Sequence, residues 1–257
     1  MPARSAISIK IHPLWWRLYP KLRPISKKQR RNGLDARKIW ASGGNPFALS
    51  TEKQIAVWDL MRTYYPKARI STYAIISDSK HKSVEEICKI KAHGLDEIMI
   101  GIETGDDEVL SLVNKGYTSE EIIEAGLPYE VIFLSGLGGR GYGLGHAQKS
   151  ADILNQLHLD RILIAGLTLF PDTPLMKDVR SGVFKEATEE ERVLELKEFL
   201  TRLKNPTLID ATNASIITPI YGRIPEEKDK MIAQLDAIFI RYGEAGLRQA
   251  RESLPAS

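Results

Sequence analysis

Cysteine is almost missing: 257 residues contain one, Cys88. A lone thiol excludes a disulfide framework, and it excludes any metal site built from three or four thiolates of one chain. Long apolar runs are missing as well, so nothing reads as a bilayer-spanning helix. Ala6 to Ile11 is too short for a secretory signal and is broken by Lys10. The five histidines, His12, His81, His93, His146 and His158, fall on separate segments, and no pair has the H-x-x-x-H or H-E-x-x-H spacing of a metal site. No paired carboxylates and no nucleophile triad identify a reaction. What remains is a globular composition, 43% hydrophobic and 27% charged, with the cytoplasm as the expected location.

Acidic residues are scarce at the start. Residues 1 to 38 hold eleven Lys or Arg and one acid, Asp35, a balance of +10, while the rest holds 25 basic and 32 acidic residues, a balance of −7. Such a segment fits an organelle presequence, an arm for nucleic acid or a membrane surface, or a solvated tail. Trp15, Trp16 and Tyr19 beside Lys21 to Arg31 would suit RNA or another anionic surface, because aromatic rings stack on bases while cations hold the backbone.

Apolar runs beginning near residues 38, 69, 97, 130 and 161 are separated by 31, 28, 33 and 31 residues. Repeats of roughly thirty residues are what successive βα units produce, so the expected fold is α/β with a parallel sheet and outer helices. Runs such as EIMIGI and RILIAGL imply strands covered on both faces. Ala6 to Ile11 reads as a weak first strand, Arg161 to Phe170 as a long one, and Thr207 to Tyr221 as extended. Helices are expected after Ser50, Ser83, Asp106 and Ser119, over His146 to Leu157, after the Thr188-x-x-Glu191 capping box, and from Glu226 to Arg241. Cys88, one turn from Val84 and beside Ile87, is expected to be a core or half-buried thiol. The expected divisions are a basic N-terminal segment (1–36), a βα core (37–205) and a mainly helical extension (206–257).

Three strand ends lead into glycine-bearing loops: Gly43-Gly44, Gly105, and Gly136-Leu137-Gly138-Gly139. Adjacent glycines let backbone N–H groups approach a ligand, and the C-terminal strand edge is where parallel α/β folds bind. The first of these loops, in RKIWASGGNPFALS, also fits an ordinary βα turn.

The stretches GGNPFALST (43–51), GIETGDDEVLSLVNKGYTSEEIIEAG (101–126), VIFLSGLGG (131–139), LTLFPDTPL (167–175) and ATNASIITPIYGRIPEEKDKM (211–231) resemble, in order, the radical S-adenosylmethionine (SAM) superfamily, in the branch of uncharacterised B12-independent core proteins. The resemblance spans about residues 36 to 240. It implies a partial TIM-like (β/α)6 barrel, SAM as a cofactor, and a [4Fe–4S] cluster at which the family cleaves SAM reductively to act on a small-molecule substrate. Carried over position by position, Gly43 and Gly44 would face the SAM amino group, with Asn45 where an acid is common. Glu103 would accept from the ribose hydroxyls. Ile132, Gly136 and Gly138 would lie beside the adenine, as would the Leu169, Phe170 and Pro171 backbone. Glu103 also fits a plainer role, capping the helix that begins at Asp106.

This sequence departs from the family where the chemistry lies. The family's cluster is held by C-x-x-x-C-x-x-C after the first strand, three thiolates leaving one iron for SAM. Here that region reads MPARSAISIKIHPLWWRLYPK, and Cys88 alone would leave two irons without ligands. The segment from Leu22 to Asp35 and the helix before Leu127 are short, so the first βα unit is expected to be reduced, the barrel incomplete or covered by a protein partner, or the chain truncated or degenerate. Three readings follow: a radical SAM fold that binds SAM or a nucleotide at most, a non-enzymatic module with a basic aromatic arm, and a conventional barrel enzyme using Glu103 or Asp172.

Overall fold

Strands begin at Lys38, Arg69, Glu97, Glu130 and Arg161, the five positions expected from the spacing of the apolar runs. The computed structural model describes residues 7–10, 36–42, 45–79, 82–124 and 130–254, with the backbone alone at 7–10, 79, 123 and 124. Trp15, Trp16, Tyr19, the Lys21 to Arg31 arm and the Gly43-Gly44 pair lie outside the described residues. Two compact units divide the chain, Met1–Gly101 and Ile102–Ser257.

In the first unit β1 (Ile7–Lys10), β2 (Lys38–Ser42), β3 (Arg69–Ala74) and the start of β4 (Glu97–Glu103) pair in parallel and in chain order. Helix α1 (Thr51–Tyr64) crosses from β2 to β3; a short α2 (Ile76–Ser79) and α3 (Val84–Ala92) cross from β3 to β4. Trp58, Ile39, Ile70, Ile90 and Ile98 are buried, so the apolar stripes of helix and strand form one core. Arg62 of α1 donates to the carbonyls of Ala68 and Gly94 and to Asp96, tying two chain reversals together. Ser83 and Glu86 form a reciprocal capping box at the start of α3. Cys88 is exposed, contrary to the expected core or half-buried thiol. The buried residue of α3 is Ile90, and Val84, the supposed neighbour in an apolar stripe, is 73% exposed.

In the second unit β5 (Glu130–Ser135), β6 (Arg161–Gly166) and β7 (Thr207–Ala211) run parallel, and β8 (Ile220–Ile224) closes the set antiparallel to β7. The helices are α4 (Asp107–Leu112), α5 (Ser119–Glu124), α6 (Gly143–Leu154), α7 (Pro174–Ser181), α8 (Glu189–Arg202) and α9 (Lys228–Glu252). Parallel strands in chain order with helical crossovers make this an α/β fold of the partial TIM-like barrel kind. No helix among the described residues is long and apolar enough to cross a membrane.

Three strand expectations need correction. β6 stops at Gly166 rather than Phe170, because the Asn213–Ser215 turn takes over: Ser215 Oγ accepts from the Gly166 N–H at 2.9 Å, and a Cβ on Gly166 would stand 2.4 Å from the Ser215 carbonyl oxygen. The same turn splits the supposed extended run 207–221 into β7 and β8. Glu97 to Ile100 of β4 are buried on both faces as expected, but β6 is not, and β5 follows the pattern of β6. Val131, Phe133, Ile162 and Ile164 are buried, Phe133 stacking on Phe199 of α8, while Ile132, Leu134, Leu163 and Ala165 are only half-buried. Among the described residues, one face of these strands is buried and the other half-buried.

Candidate functional site

Glu103 ends β4 in an unusual conformation. Its φ is +63°, and the Thr104 N–H donates across it to the Ile102 carbonyl at 2.8 Å, a three-residue turn of the rarer γ kind. Backbone strain in a non-glycine residue persists only where the surroundings hold it, and such positions collect at ligand sites. Glu103 is half-buried, like Gly101 two residues before it, and one carboxylate oxygen accepts from Lys115 Nζ at 3.0 Å. Its other oxygen has no partner among the described residues. Tyr117 donates to the Ile102 carbonyl at 3.2 Å, and burial, assisted by the Glu103 charge, holds its phenol well above the usual range.

The turn after Glu103 is braced from α6. Ser150 Oγ contacts Thr104 Oγ1 at 3.2 Å and accepts from the Gly105 N–H at 3.0 Å. Asp106, fully buried, caps α4 by accepting from the Glu108 N–H, and it accepts from Tyr142 at 2.8 Å and from Lys149 at 3.3 Å. Lys149 also donates to the Tyr142 hydroxyl at 2.7 Å, which with Asp106 holds its ammonium above its ordinary pKa. Helix capping therefore belongs to Asp106, not to Glu103.

A second network holds the loop after β5. Glu195 of α8, fully buried, accepts from Ser135 Oγ at 2.7 Å, from the Gly136 N–H at 2.6 Å and from His146 Nδ1 at 2.6 Å. Arg192, also buried, donates to the Ser135 carbonyl at 3.2 Å and to Glu186 at 2.9 Å, and burial lowers its pKa.

Two of the glycines are also held by contacts within the protein. Gly136 has φ +84°, its N–H is taken by Glu195, and a Cβ there would lie 2.1 Å from Arg192 Nη1. A Cβ on Gly138 would lie 2.9 Å from His146 Cβ. Both positions need glycine for packing within the protein. Ile132 presents a half-buried apolar side chain, Leu169 packs at the edge of a cluster of Val109, Leu137, Leu167 and Phe184, and Phe170 and Pro171 are exposed. The Leu169 peptide groups have no partner among the described residues. Asn45, in the first unit, donates to Asp78 at 2.7 Å, and its buried Oδ1 has no partner among the described residues. The second unit thus carries Glu103 at the end of β4, Ile132 within β5 and Leu169–Pro171 past the end of β6, together with the networks of Glu195 and His146 and of Asp106, Tyr142 and Lys149.

A [4Fe–4S] cluster does not fit the residues present. One cysteine cannot ligate three irons, and among the described residues no three His, Cys, Asp or Glu side chains converge on a point. SAM fits better: an acceptor oxygen on Glu103, the apolar Ile132 and the peptide groups of Leu169 suit the hydroxyls and flat base of a nucleoside.

No protein-family profile matches the chain, and no curated protein sequence does. Solved structures do. The Elp3 protein of the archaeon Methanocaldococcus infernus, with residues 1–46 deleted, superposes with a TM-score of 0.60 at 16% identity over 93% of this chain and 63% of its own. Coproporphyrinogen III oxidase HemN from Escherichia coli, a radical SAM enzyme, superposes with a TM-score of 0.55 at 15% identity over 77% of this chain and 53% of its own. The chain therefore spans less than two thirds of either structure. Likeness at this level of identity establishes the fold, and the fold of this chain is that of a radical SAM enzyme.

Proposed function

We propose that this chain binds SAM, or a closely related nucleoside, at the strand ends of its second unit, and that it does so without a cluster held by its own cysteines. The strained turn at Glu103 carries the reading: it sets a half-buried carboxylate, with one oxygen uncommitted, at the C-terminal end of a parallel strand. Glu103 would accept from ribose hydroxyls, Ile132 would pack on the base, and the Leu169 peptide would pair with its edge. Lys115 donates to one carboxylate oxygen and fixes the side chain's rotamer. In radical SAM enzymes the bound sulfonium supplies a reductively cleavable C–S bond. What this chain's residues supply is binding, orientation and a half-covered apolar floor.

Isothermal titration of the full chain with SAM tests this. Binding is expected, and Glu103→Gln should weaken it about tenfold, since a hydrogen bond to a charged acceptor contributes roughly 1.5–3 kcal/mol and 1.4 kcal/mol is tenfold. No heat with folded protein, or equal affinities, would remove the reading. An RNA-binding role for the Lys21 to Arg31 arm rests on composition alone and stands behind it.

A further inference from the structure

A cavity of about 270 Å³ lies between the glycine loop after β5 and the turn joining α7 to α8. Arg140 and Lys185 line it, with Leu112, Val183 and Phe184 as its apolar wall. We propose that it binds a small organic anion, with a carboxylate or phosphate head between the two cations and an apolar body against that wall. The proposal goes beyond the SAM reading and uses none of the Glu103 groups.

The two cations are held at one place by the main chain. The Arg140 N–H donates to the Lys185 carbonyl at 2.8 Å, and Gly139, at φ +73°, lets the loops close so tightly that a Cβ would stand 2.9 Å from that same oxygen. Neither cation has an ion-pair partner among the described residues. The acids nearby are committed elsewhere: Glu186 pairs with Arg192 and Arg248 at 2.9 and 3.0 Å, and Glu191 accepts from the N–H groups of Thr188 and Gly141. The Arg140 charge helps hold Glu191 ionised. Val183 is 75% exposed beside these cations. Two cations without ion-pair partners among the described residues, beside the exposed side chains of Leu112 and Val183 over buried Phe184, in a cleft fixed by backbone contacts, match the head and body of an amphipathic anion.

Titration of isotope-labelled full chain, followed by backbone amide shifts, tests the proposal with four probes: phenyl phosphate, phenylacetate, inorganic phosphate and benzyl alcohol. Phenyl phosphate or phenylacetate should move the Gly139 and Arg140 amides, at least about tenfold more tightly than inorganic phosphate or benzyl alcohol, and added salt should weaken the effect. Which of the two anions binds more tightly identifies the head group. Arg140→Gln combined with Lys185→Gln, both exposed positions, should lower that affinity about tenfold or more while leaving the melting temperature and the SAM titration unchanged. No shifts up to about 10 mM of either aromatic anion, equal response to benzyl alcohol, or an undiminished response in the double variant would overturn it.

Discussion

Replacing Glu195 by alanine is expected to destabilise the protein by about 3–5 kcal/mol, the usual cost of removing one member of a buried charged network. Three donors converge on this carboxylate, from Ser135, Gly136 and His146, and the substitution strands all three away from water. For a chain of this size each 1 kcal/mol shifts the melting temperature by roughly 2–4 °C, so a drop on the order of 10 °C should be seen by circular dichroism or calorimetry. Glu195→Gln should fall between, because its single acceptor oxygen cannot serve both sides and its NH2 meets a donor on one of them. A Glu195→Ala protein melting within about 2 °C of the wild type would show that the network contributes little.

Gly136→Ala carries the second large effect. Alanine at φ +84° costs roughly 1–2 kcal/mol in backbone terms, and its Cβ would lie 2.1 Å from Arg192 Nη1. Relief requires moving a buried guanidinium off the Ser135 carbonyl and Glu186, and each such charged hydrogen bond contributes roughly 1.5–3 kcal/mol. The expected loss is about 3 kcal/mol or more, read as a lower melting temperature. If Gly136 instead served mainly to admit a ligand, the variant would melt as the wild type and lose SAM affinity alone. The outcome separates a packing role from a binding role at a position where the sequence allows both.

Much of the fold was legible because it is written in local signals. The apolar runs at Ile39, Ile98 and Ile162 recur at βα spacing, and the caps at Ser83, Asp106 and Thr188 sit where their side chains accept from helix N–H groups. What the sequence hid depends on contacts across the chain. The end of β6 is decided by Ser215, 49 residues away, and the packing need for glycine at 136 is decided by Arg192, 56 residues away. Cys88 misled because an apolar neighbour four residues back was taken for a buried stripe, whereas Val84 faces out.

The candidate site divides the same way. Glu103 was readable as a carboxylate at a strand end, but its positive φ was not. Glu195 and His146 gave little sign of themselves: Glu195 follows the capping residue Glu191 by one turn on the same helix face, and Tyr142 and Lys149 stand two turns apart on α6, spacings that many surface helices share. Their meaning appears only when α6 and α8 meet behind β5.

Under the proposed function, the chain binds a nucleoside without a cluster held by its own cysteines. Anaerobic reconstitution of the full chain with excess iron and sulfide, followed by desalting and quantification of both, tests it most directly. The account predicts far less than one cluster per chain and no broad thiolate-to-iron absorption. Four irons and four sulfides per chain, retained through desalting and bleached by reductant, would contradict it.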